Sequence, residues 1–143
     1  MVSNRDSIMW TIRAMGLLVL LSASTVSAQT LMNLDAVDPQ MLQDFLGDWS
    51  IQNADASKTC KVTLASDVTI GGLFIDVDRD CAKVFPVMKH VAAWRLYEDW
   101  EIVLVDPARK SLIRFSTPDN AYVAEPETDG ITTIVKLGGD LQN

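Results

Sequence analysis

The sequence has 143 residues, which is the size of one domain, and its 12 basic and 19 acidic residues give a net charge of −7. Nucleic acid would repel such a surface, which has no basic stripe, so the charge excludes a nucleic-acid partner.

The first 28 residues have the layout of a secretory signal peptide. Arg5 and Arg13 belong to a polar start, residues 14–21 are largely apolar, and small residues follow up to Ala28. This order predicts cleavage before Gln29. A membrane anchor is the alternative, but a span needs about 20 apolar residues and this run is roughly half as long. Two arginines and one aspartate leave with the peptide, so we expect a periplasmic or secreted protein of 115 residues with a net charge of −8.

The start of the exported chain is predicted to be an arm followed by a short helix. Residues 29–38 have no clear hydrophobic periodicity, which indicates an extended N-terminal arm. Asp38 before Pro39 is typical of a helix start and Gly47 of a helix end, so a helix is predicted over 39–46. Residues 39–143 are then predicted to form a single barrel domain.

Eight short segments after this helix place apolar side chains on alternate positions, as half-buried strands require. They are residues 49–52, 60–64, 73–77, 92–97, 100–105, 112–116, 121–125 and 131–137. Most connections are short, which forces antiparallel neighbours, and only 82–90 leaves room for one or two helical turns. Closure removes exposed strand edges. We therefore predict an all-β protein, an eight-stranded antiparallel up-and-down β-barrel.

The two cysteines, Cys60 and Cys81, both lie in the exported part of the chain. Thiols outside the cytosol are oxidised by default, so we expect one Cys60–Cys81 disulfide rather than two free buried thiols. Closing this loop should stabilise the fold by roughly 3 kcal/mol.

Motifs for catalysis are weak. The single histidine, His90, is too few for a zinc site, and no serine motif accompanies it for nucleophilic catalysis. Residues 76–80 imitate the opening of a calcium loop, but Cys81 stands where the loop needs glycine and Val87 where it needs glutamate. We therefore expect a protein that is not an enzyme and has no cofactor or metal.

A second acidic group is Glu98, Asp99 and Glu101, which could be interpreted as the paired acid and base of a hydrolase. The favoured interpretation is a charged hairpin tip, because Glu98 and Asp99 lie between two apolar-alternating strands where water-facing residues are expected.

Gly47-Asp-Trp49, just after the predicted helix, resembles the barrel-plugging motif of lipocalins, and Trp49, Trp94 and Trp100 together would fill a small barrel well. The wider order of features resembles the AprI/Inh family of bacterial metalloprotease inhibitors over about residues 42–137. It consists of Gly47-Asp-Trp49, Cys60-Lys-Val-Thr-Leu64, Cys81 with Phe85-Pro86, Ala93-Trp94-Arg95, Ile102-Val-Leu104, Phe115 and Tyr122.

This resemblance implies a periplasmic, lipocalin-like barrel with one disulfide that inhibits secreted zinc proteases of the serralysin, metzincin type. It further implies that the arm enters the protease cleft and that the first residue's amine and carbonyl approach the catalytic zinc. By position, the protease-binding residues are Gln29, Thr30, Leu31, Met32 and Asn33.

The partner implied is thus a secreted zinc metalloprotease, and we expect a monomer with no membrane contact after signal cleavage. Two other functions stay open at this stage. One is a lipocalin-like carrier of a small hydrophobic ligand, although bulky inward side chains and 115 residues leave little room for a cavity. The other is a structural protein of the cell envelope.

Overall fold

Eight antiparallel strands close into a barrel in which each strand pairs with its neighbours in sequence and the first pairs with the last. The computed structural model describes residues 28–138, so the predicted signal peptide, apart from Ala28, lies outside the described residues. The strands are β1 (Gly47–Gln52), β2 (Thr59–Thr69), β3 (Gly72–Val77), β4 (Ala93–Leu96), β5 (Ile102–Val105), β6 (Ser111–Ser116), β7 (Tyr122–Thr128) and β8 (Ile131–Lys136). The predicted up-and-down barrel is confirmed.

The helices are short. They are α1 (Pro39–Gln43), α2 (Cys81–Val84) and two 3-10 helices, Leu34–Ala36 and Pro86–His90. Asp38 caps α1, because its side chain accepts a hydrogen bond of 2.8 Å from the Gln40 amide. The helix ends three residues earlier than predicted. The chain turns after Gln43, and Gly47 already belongs to β1 with a φ of +107°, a conformation that favours glycine.

Strand β2 extends to Thr69, whereas the sequence pattern predicted its end at residue 64. The buried alternation stops at Leu64, and Ser66, Asp67 and Val68 are all exposed. A register shift between Leu64 and Val68 marks the start of this extension. Hydrophobic alternation could not reveal it, because the pairing with β3 continues where neither face is buried.

The barrel interior is filled with side chains. Among the largest fully buried ones are Trp94, Phe115 and Ile51, and Trp49 is also in the core. Trp100 is only partly buried and stacks on Phe45, with ring centroids 5.6 Å apart. An eight-stranded barrel filled in this way does not favour a carrier of small ligands.

The disulfide between Cys60 and Cys81 is confirmed, and it ties β2 to the start of α2 with a Cα–Cα distance of 5.0 Å. Within residues 28–138, no helix is both long and apolar enough to span a membrane.

Candidate functional site

The arm lies against the turn between β4 and β5. The Met32 amide donates to the Leu96 carbonyl, and the Glu98 amide donates to the Thr30 carbonyl, both at 3.0 Å. Leu31 forms a single antiparallel bridge with Tyr97. The arm is therefore extended at these residues, and one residue pair bridges it to the chain after β4.

The rest of the arm differs from the prediction, because Leu34–Ala36 form one turn of 3-10 helix. The Asn33 side chain caps this turn by accepting a hydrogen bond of 3.2 Å from the Asp35 amide. Met32 and Leu34 pack against the barrel core, so two arm side chains are half-buried. A groove of about 450 Å³ separates the arm from α1 and Trp100.

Glu101 holds the side chain of Gln29. The Gln29 amide donates to Oε2 of Glu101 at 2.7 Å and approaches Asp99 at 3.4 Å. Arg114 binds the same carboxylate in a fork, from Nε to Oε1 at 3.0 Å and from Nη2 to Oε2 at 2.7 Å. These hydrogen bonds raise the pKa of Arg114 above its usual value, so the guanidinium stays charged.

Of the acidic residues Glu98, Asp99 and Glu101, only the first two have the exposure expected from the sequence. Glu98 and Asp99 are exposed in the turn, as expected for a hairpin tip, but Glu101 is only 4% exposed. The only feature of the sequence that indicates the burial of Glu101 is its position, one residue before the buried run Ile102–Val105. Its partners Gln29 and Arg114 are distant in sequence, which a local pattern cannot reveal.

An apolar patch at the β2–β3 turn lies near the arm. Val68 is 87% and Ile70 is 76% exposed, and Leu31 of the arm is 52% exposed. Val68 and Leu31 line the same groove of about 180 Å³. We call Val68 and Ile70 the hairpin patch. In the sequence, Val68 and Ile70 lie shortly before Gly71 and Gly72, and apolar residues so close to a glycine turn were the signal that could have revealed this patch.

The other candidate motifs do not assemble into a site. Asp78 accepts a hydrogen bond from the Asp80 amide, and Asp80 pairs with Lys83 at 2.8 Å. His90 is exposed at the end of its 3-10 helix. Across residues 28–138, no three histidine, cysteine, aspartate or glutamate residues are grouped so that they could hold a metal ion.

A family model described as "Protease inhibitor Inh" matches residues 40–136, which include the whole barrel and all of α1 except its first residue. The chain belongs to the Inh family of protease inhibitors. This confirms the resemblance seen in the sequence. Inh membership gives the chain an inhibitor role, with a protease as its partner.

The Inh match begins after residues 29–33, so it does not test their predicted role in binding the protease. No curated protein and no solved structure matches the chain.

Proposed function

We propose that this Inh protein inhibits a secreted zinc metalloprotease of the serralysin type, and that its N-terminal arm enters the active-site cleft. The observation that carries the proposal is the placement of the arm. The barrel closes through the β1–β8 pair without it, and Gln29, Thr30 and Leu31 are all exposed. Arm residues can therefore engage a partner while the barrel stays intact.

The chemistry of a free amino terminus suits this role. A neutral α-amine is a good zinc ligand, and its pKa of about 8 leaves part of it uncharged at neutral pH. Bound to the zinc, the amine of Gln29 would displace the water that attacks the peptide substrate. Extended segments such as 30–32 are also the form in which a peptide adds to the edge strand of its receptor.

This mechanism requires cleavage before Gln29, and we propose that cleavage accompanies export to the periplasm. Protein recovered from the periplasm should have the mass of residues 29–143 less two hydrogens for the disulfide. A full-length mass would contradict the processing step.

The proposed target class is tested by titrating the processed protein into two proteases, a serralysin-type zinc enzyme and a subtilisin-type serine enzyme. We expect complete inhibition of the zinc enzyme at one inhibitor per protease and none of the serine enzyme. Inhibition of the serine enzyme alone would overturn the metalloprotease assignment while leaving the family assignment intact.

The hairpin patch should contribute to the same interface, because exposed apolar patches mark protein-binding surfaces and this one adjoins the arm. We expect the double variant Val68→Ser/Ile70→Ser to weaken inhibition about tenfold or more, since burying one large apolar side chain contributes roughly 1.5–3 kcal/mol. Its free energy of unfolding should stay within about 0.5 kcal/mol of the parent.

A matched control is Val135→Ser, which changes an exposed valine on β8. The measurement is the inhibition constant of the parent, the double variant and this control with the same protease, and it shows whether the hairpin patch contacts the protease. Equal constants for the parent and the double variant would exclude the hairpin patch from the interface.

A further inference from the structure

Glu101 is the one buried charged residue among the described residues. It lies directly before β5, and Arg114 lies on the adjacent strand β6. Replacing a buried ion pair with apolar side chains of similar volume is often neutral or stabilising. The stability of the barrel therefore does not explain why a carboxylate occupies this position.

Glu101 contacts the arm, and Arg114 contacts a barrel residue on which the arm docks. Oε2 of Glu101 accepts a hydrogen bond of 2.7 Å from the side-chain amide of Gln29. Arg114 lies over the Tyr97 ring, 5.9 Å from its centroid, and Tyr97 is the residue that bridges Leu31. The ion pair thus contacts the first residue of the arm directly, and its arginine packs on the residue whose backbone pairs with the third.

The backbone pairing leaves one edge of the arm open. In the bridge between Leu31 and Tyr97, the hydrogen bonds are made by the flanking residues Thr30 and Met32. This is the non-hydrogen-bonded type of antiparallel pair, so the N–H and C=O of Leu31 point away from the barrel. An open strand edge is what a partner's strand can pair with.

We infer that Glu101 is a positioning residue of the inhibitor, which with Arg114 fixes the start of the arm in an extended form and presents the open edge at Leu31 to the protease. This inference rests on the proposed function. An arm already ordered in the free inhibitor loses less conformational entropy on binding, so the pair raises affinity without touching the protease.

The first test is Glu101→Gln, measured with the processed protein and a serralysin-type protease. We expect the inhibition constant to rise about tenfold, because the loss of one charge-assisted hydrogen bond usually weakens binding by about this factor. Amide hydrogen exchange at Met32 and Glu98 should accelerate in the free protein, because these amides hold the arm on the barrel. Exchange in β1 and β5 should be unchanged.

Two further variants separate positioning from stability. Glu101→Leu/Arg114→Met removes the pair without leaving a lone buried charge, and it should show the same weakened inhibition in a folded barrel. Asp48→Asn is the matched control, because it breaks the 2.8 Å ion pair with Lys61 on β1 and β2 by the same acid-to-amide change. It should leave the inhibition constant unchanged.

A double-mutant cycle shows whether Glu101 acts through Gln29. Gln29→Ala and Gln29→Ala/Glu101→Gln should inhibit equally, because Glu101 no longer has the side-chain amide of Gln29 as a hydrogen-bond donor. Unchanged or stronger inhibition by Glu101→Gln, or independent losses in the cycle, would overturn the inference. If the parent protein fails to inhibit, the proposed function fails instead, and the hydrogen exchange still reports whether Glu101 holds the arm.

Discussion

A variant that lacks residues 29–33 should inhibit a serralysin-type protease about a thousandfold more weakly than the processed protein. The deletion removes the amine proposed to bind zinc and the side chains of Leu31 and Met32 together. Interface residues of this kind cost about 2–4 kcal/mol each when lost, and two of them correspond to a thousandfold change or more. The measurement is the inhibition constant of each protein at constant pH and salt.

The truncated barrel should remain folded, because β1 pairs with β8 and all eight strands lie outside the deletion. The deletion should nevertheless lower the free energy of unfolding. Met32 packs on the core and two backbone hydrogen bonds hold the arm, so the deletion should cost about 1–3 kcal/mol.

A same-length control replaces residues 29–33 with glycine and serine, which keeps the α-amine at position 29 but removes the side chains of Leu31 and Met32. It should inhibit better than the truncation and worse than the parent. If the truncated protein instead inhibits as well as the parent while its circular dichroism is unchanged, the arm is not the inhibitory element. The hairpin patch would then be the first surface to test.

Trp49→Ala should lower the free energy of unfolding by about 3–5 kcal/mol, the usual cost of truncating a large aromatic core residue. The indole of Trp49 is buried, donates a hydrogen bond of 2.9 Å to the Phe45 carbonyl, and meets the Tyr122 ring edge-on at 5.6 Å. It therefore joins the chain after α1 to β1 and β7, and its loss would open that end of the barrel.

Trp100→Ala is the comparison for Trp49→Ala, because Trp100 is only partly buried. Its loss should cost less than that of Trp49, and urea unfolding followed by far-ultraviolet circular dichroism measures both. A loss below about 1 kcal/mol for Trp49→Ala would contradict the filled-barrel structure.

The barrel could be predicted well from the sequence, because the features that define it depend on residues close together in the chain. Alternating apolar residues such as Leu73 and Ile75 predicted strands, and short polar connections predicted antiparallel order. The disulfide followed from having only two cysteines in a chain predicted to be exported. These features depend on neighbouring residues or on composition, so a single sequence is enough to predict them.

The candidate site was predicted less completely, because it depends on contacts between distant residues. Gln29 and Glu101 are 72 positions apart, and no spacing rule links them. The docking of segment 30–32 on Leu96 and Glu98 uses backbone groups, which every residue carries and no pattern marks. The exposed end of β2 was missed for a similar reason, since it is held by pairing with β3 rather than by burial.

The proposed contact between the arm and the zinc can be tested directly with a serralysin-type protease in which cobalt replaces zinc. The visible absorption of cobalt responds to its ligands, so a nitrogen ligand from the arm changes the spectrum. We expect one equivalent of the processed inhibitor to shift the spectrum, and the protein lacking residues 29–33 to leave it unchanged. Complete inhibition by the processed protein with an unaltered cobalt spectrum would contradict the proposed mechanism.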